Sequence, residues 1–135
     1  MGELPAWNDI LAILPGGRLV VLDCVVTHSA AASYARGASR QAGFAAAKAE
    51  TSKRRAFELF GDGAGYDFLP LAGDSIGRLG KDASRFLNDL GGVAASDGCA
   101  SKSAFVWRVR QDLSCALCKG NARMCYSEAE RKEKG

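Results

Sequence analysis

Between Arg18 and Thr27 the chain reads Leu19-Val20-Val21-Leu22-Asp23-Cys24-Val25-Val26, apolar at successive positions with one carboxylate in the middle. A strand alternates its side chains between two faces, so this run presents apolar groups to both and needs cover on both. It is expected to be a central strand. The run Ile10 to Leu14 lies just before it, set off by Pro15-Gly16-Gly17, and that punctuation predicts a β-hairpin. The cover has to be economical. Leu, Ile, Val and Phe number 29 of 135 residues, whereas Ala and Gly number 23 and 16, which leaves a thin core for one small domain.

The order of the remaining segments predicts an α/β fold. Residues 28 to 42 are rich in Ala, Ser and Gly and read as a loop or broken helix, followed by a helix from Phe44 to Phe60. Tyr66 to Ala72 is expected to be a third strand. Leu79, Ala83, Phe86, Leu87 and Leu90 recur at helical spacing up to Gly91-Gly92, which is expected to close that helix. A polar linker from Ala94 to Lys102 and a last helix from about Ser103 to Tyr126 follow, its stripe formed by Val106, Val109, Leu113 and Leu117. Residues 1–93 form the expected core, 94–127 the linker and a helix packed on it, and 128–135 a solvated, frayed charged tail. The expected architecture is a small mixed sheet, hairpin plus one further strand, packed with helices.

The charge pattern narrows the chemistry. Net charge is only +3, but Arg36, Arg40, Lys48, Lys53, Arg54 and Arg55 face Glu50 alone across twenty residues. Such a patch suits a phosphodiester backbone, and a solvated helix face accounts for it almost as well. No apolar run nears the ~20 residues of a membrane span, and Glu3 and Pro5 stand where a signal peptide needs basic and then apolar residues. No membrane partner and an intracellular location are expected. Five cysteines without a secretory signal argue for reduced thiols. Zinc is not expected: Cys115 and Cys118 lie within a helix, Cys125 is a third ligand, and the fourth would have to be the distant His28. Buried helical thiols are the expectation for these three cysteines.

Two residues break apolar patterns. Asp23 sits inside the central strand, where a carboxylate is costly unless a cation or a hydrogen-bond donor meets it; an edge position or a pairing with Arg18 or Arg36 accounts for it as well as a metal does. Lys53 shares a helical stripe with Ala46, Ala49, Ala56, Phe57 and Phe60. Such a lysine can snorkel to solvent, but this face has to be buried if the thin core is to form, so Lys53 is expected to point toward the sheet with its ammonium near Asp23. Hairpin register decides a third point. A three-residue loop centred on Gly16 places Asp9 across from Asp23 with Cβ atoms roughly 4.5–5.5 Å apart, whereas a two-residue loop sends the two acids to opposite faces. The three-residue loop is the expectation, since carboxylates that close make sense mainly around a cation.

Asn8-Asp9-Ile10-Leu11, Leu14-Pro15-Gly16-Gly17-Arg18 and Val20 to Val26, with Ala49-Glu50-Thr51-Ser52-Lys53-Arg54, Phe68 to Gly77 and Arg110 to Asn121, resemble the C-terminal endonuclease-like region of reverse-transcriptase polyproteins of non-LTR-type retroelements. That region has a restriction-like, PD-(D/E)XK nuclease fold, so the resemblance implies a truncated core of that kind. It implies Asp9 and Asp23 as the two catalytic, Mg²⁺-binding acids and Lys53 as the catalytic lysine, carried on a helix. Asp74 falls where family members often have Glu, and Asn8 departs from the small residue or Pro usual before the first acid. DNA is the implied substrate, with Arg36, Arg40, Lys48, Arg54 and Arg55 as the residues that would contact it. An upstream reverse-transcriptase region, the chain as a piece of a longer polyprotein and nuclear action are implied too. The alternative is a non-catalytic nucleic-acid-binding or structural remnant of such a polyprotein.

Overall fold

The computed structural model describes residues 10–28, 30–60 and 65–135. Strands β1 (Ile10–Leu14) and β2 (Arg18–Thr27) are followed by a one-turn helix α1 (Ala35–Ala38) and by α2 (Phe44–Phe60). Strand β3 (Asp67–Asp74) and helices α3 (Lys81–Ser96) and α4 (Lys102–Lys134) complete the order. The chain is therefore mixed α/β, with a three-stranded mixed sheet in the order β1-β2-β3. β1 is antiparallel to β2 and β3 is parallel to it.

The hairpin has the three-residue loop. Leu14 pairs with Arg18 and Ile10 with Leu22, and the Gly17 amide donates to the Leu14 carbonyl at 3.0 Å. Gly16 and Gly17 have φ of 84° and 79°, a left-handed backbone that favours glycine at both positions. Asp9 lies outside the described residues.

Two compact units make up the chain. The first holds the residues up to Asp74 together with Arg78–Phe86; the second holds Ser75–Gly77 and Leu87–Gly135.

In the first unit, α2 covers the face of the sheet that carries the odd-numbered residues of β2. Small side chains permit the close approach: Ala46, Ala49 and Ala72 are buried together, with Val25 packed against them. Pro70 is fully buried on β3. As β3 is an edge strand of the sheet, a proline is tolerated there despite its missing N–H. At the other end of the helix Phe57 stacks on Phe68 with centroids 4.4 Å apart, and Tyr66 lies 5.9 Å from Phe57.

In the second unit, the helix expected to stop at Gly91-Gly92 runs through both glycines to Ser96. Gly91 is there for packing: a Cβ on it would stand 3.0 Å from Val106 Cγ2 and 3.2 Å from the Lys102 carbonyl oxygen of α4. The stop comes at Gly98, with φ 70°, where Cys99 N–H donates to Ala94 O and Gly98 N–H to Ala95 O, the Schellman pattern. Ser101 caps α4 by accepting the Ala104 amide at 3.2 Å. The tail expected to fray is helical through Lys134. Glu128 and Lys132, and Glu130 and Lys134, have the favourable i,i+4 order, and the last-turn cations suit the helix C-terminus.

The cysteine expectation is corrected. All five cysteines are exposed and none is in a disulfide, and α4 has no buried residue. Phe105, Val106, Val109, Leu117, Gly120 and Asn121 are the partly covered positions of α4, and Cys115, Cys118 and Cys125 are not among them; Leu113 is exposed as well.

Candidate functional site

The residue that the strand pattern made anomalous is the centre of the site. Asp23 lies two residues before Val25 on the face beneath α2, and its side chain is 3% exposed. Two strand residues span ~6.6 Å and four helical residues ~6 Å. Stepping back from Val25 to Asp23 therefore matches stepping forward from Ala49 to Lys53. Lys53 meets Asp23 there, its Nζ 2.8 Å from Oδ2. One further step of each element brings Phe57 to Phe68, the β3 partner of Val21. The ion pair is thus fixed between an alanine layer on one side and an aromatic layer on the other.

The pair is asymmetric. The Lys53 side chain is 34% exposed, so the cation keeps part of its hydration while the carboxylate has lost nearly all of its own. The ammonium is close to Oδ2, yet that buried oxygen makes no well-aligned hydrogen bond. The Lys53 charge offsets the desolvation of that oxygen. An oxygen of this kind fits a hard cation such as Mg²⁺, which takes carboxylate and carbonyl oxygens. Asp23 is the carboxylate at this position; among the described residues no group of three or more His, Cys, Asp or Glu side chains could hold a metal ion. Asp9, the second acid implied by the resemblance, is outside them.

Asp74 belongs elsewhere. It pairs in register with Thr27, four residues along from the Asp23–Pro70 pair, or ~13 Å of strand. Its Oδ1 accepts the Arg78 amide at 2.8 Å and its own amide donates to the Arg78 carbonyl at 2.8 Å, so it closes the turn after β3.

Glu50 is the buried acid that sequence reading passed over, since it counted only as the lone negative charge in a basic run. It lies on the buried face of α2, four residues after Ala46, and is 7% exposed. That spacing was the available signal. Its Oε1 accepts the Asp82 amide at 2.9 Å, so a side chain of α2 caps the first turn of α3. Gly80 makes room for it, because a Cβ there would collide with the carboxylate. Burial raises the Glu50 pKa above its ordinary value of 4.5, the nearby Asp82 charge adds to the rise, and backbone amides at the helix start oppose it.

The five proposed DNA-contacting cations are unequal. Arg36, Arg40 and Arg55 are exposed. Lys48 is exposed too, with its Nζ 5.7 Å from the Phe44 ring centroid. Arg54 grips Asp82 Oδ2 through Nε at 3.1 Å and Nη2 at 2.6 Å, which ties α2 to α3 beside the Glu50 cap. Among the described residues no helix is long and apolar enough to cross a membrane. No protein-family model, no curated protein and no solved structure matches the chain.

Proposed function

We propose that this chain is the endonuclease-like part of a retroelement reverse-transcriptase polyprotein, with a restriction-like core that hydrolyses a DNA phosphodiester in the nucleus. The observation that supports it is the buried Asp23 Oδ2, short of hydrogen bonds and 2.8 Å from Lys53. Asp23 and Asp9, with a strand carbonyl, would hold Mg²⁺; when bound, the ion supplies neutralising charge at the phosphate and a more acidic water. Lys53 has a separate task. Its ammonium, anchored by Asp23 and one third exposed, would donate to a non-bridging phosphate oxygen as charge builds there. Arg36, Arg40, Lys48 and Arg55 would track the backbone, and Arg54 would hold the helix that carries Lys53.

Nicking of supercoiled plasmid tests this. Wild type should nick with Mg²⁺ and not with EDTA, and Asp23→Asn and Lys53→Met should each lose at least about 100-fold, the usual scale for removing one electrostatic group at a reacting phosphate. Nicking that survives Asp23→Asn in a preparation freed of contaminating nuclease removes Asp23 from the chemistry.

One observation favours a second reading, a non-catalytic module that binds nucleic acid: Lys53 already neutralises Asp23, as a purely structural pair would. Salt-dependent DNA binding without nicking in Mg²⁺ or Mn²⁺ is the result that selects it.

A further inference from the structure

The second unit carries a cluster that the Asp23 site does not use. Asn88 of α3 and Lys102, Ser103, Val106, Trp107 and Arg110 of α4 line an open groove of about 620 Å³. Trp107 is 61% exposed, a large indole left in water beside charged neighbours. On α4, Trp107 and Ser103 are one turn apart, and Lys102 and Arg110 bracket them across eight residues, ~12 Å of helix. Every charged residue lining the groove is a cation, and from Gly98 to Gln111 the chain has Lys102, Arg108 and Arg110 and no acid.

An exposed indole between two cations, with an amide and a hydroxyl in reach, is the chemistry of a base-stacking platform. Every base offers a π-face to an aromatic ring, and its flanking phosphates take Lys or Arg. Duplex bases are already stacked on one another, so the indole can serve only a base that is unpaired. We propose that this groove binds an unpaired segment of a DNA strand, with one base stacked on Trp107, its neighbouring phosphates on Lys102 and Arg110, and the Asn88 amide facing the base edge. The choice of DNA rests on the endonuclease reading above; the stacking and the charge do not.

Binding of fluorescein-labelled oligothymidylate measured by anisotropy in EDTA tests the groove without any contribution from metal-dependent cleavage. Trp107→Ala should weaken binding by about 5- to 150-fold, the range for loss of one stacked base, and Trp107→Phe should recover most of it. Lys102→Gln and Arg110→Gln should each lower the slope of log K against log salt by about 0.7, the single-strand value per phosphate contact. Duplex DNA of the same length should be insensitive to Trp107→Ala. Unchanged oligothymidylate affinity in Trp107→Ala, or no binding by wild type at low salt, overturns the proposal. Preference for oligouridylate over oligothymidylate overturns the assignment to DNA. Plasmid nicking can fail while this binding stands, and the reverse, so the two readings are separated.

Discussion

Lys53 on α2 and Asp23 on β2 form an ion pair in which Nζ stands 2.8 Å from a carboxylate that is 3% exposed. Breaking a fully buried pair by removing one partner costs ~3–5 kcal/mol, and because Lys53 is one third exposed we expect ~2–3 kcal/mol for Lys53→Met. The double variant Asp23→Leu with Lys53→Met should recover most of that loss, since no buried charge is left without a partner. Urea unfolding of the four chains of this cycle measures it, and a double variant no more stable than Lys53→Met would contradict it.

Glu50 makes stability depend on pH in a sense opposite to that of an ordinary salt-bridged acid. Its pKa is raised in the folded chain, chiefly by burial, so folding favours its protonated form. That contribution is fully present below the unfolded value and is lost as pH rises through the raised folded value. Glu50→Gln retains an oxygen for the Asp82 amide and removes the charge. The variant should therefore gain stability relative to wild type as pH rises from 4 toward 7, with the difference levelling off above the folded pKa. Parallel unfolding curves with a constant offset would refute it.

Two glycines are predicted to be intolerant of a methyl group for reasons of space. Gly80→Ala sets a Cβ against the Glu50 carboxylate, and Gly91→Ala sets one against Val106 and the Lys102 carbonyl. Each should cost ~1–3 kcal/mol, the scale of overpacking, whereas Gly92, with nothing near its ideal Cβ, should accept Ala with a small gain in helix stability. Thermal unfolding of the three variants checks the ranking.

The thiols supply a chemical check. Because all five cysteines are exposed, a disulfide reagent should titrate the same number in the native chain as in denaturant. Protection of Cys115, Cys118 or Cys125 in the native chain would mean that α4 is covered.

These results also show where local pattern suffices. The β2 run, its hairpin loop and the span of α2 were legible because period-2 and period-3.6 patterns and a Pro-Gly-Gly turn each act over a few residues. The Lys53–Asp23 contact was legible because the lysine interrupts an alanine stripe that has to face the sheet. The end of α3 was not, since Gly91 as a stop and Gly91 as a packing contact look alike until Val106 arrives from α4. The Glu50 cap depends on a pairing 32 residues away that no window contains. The α4 cysteines were misjudged because thiols lying off the apolar stripe were expected to be buried with it, when only a few positions of α4 are even partly covered.

Whether Asp23 takes a divalent cation is measured most directly with Mn²⁺ in place of Mg²⁺, by the loss of the free-ion electron paramagnetic resonance signal on titration with the folded chain. One Mn²⁺ per chain, displaced by Mg²⁺ and absent in both Asp23→Asn and Asp9→Asn, is the predicted result. No saturable Mn²⁺ binding, or binding of the same strength in Asp23→Asn, would contradict the metal role of Asp23 and leave the Lys53–Asp23 pair as a strut of the fold.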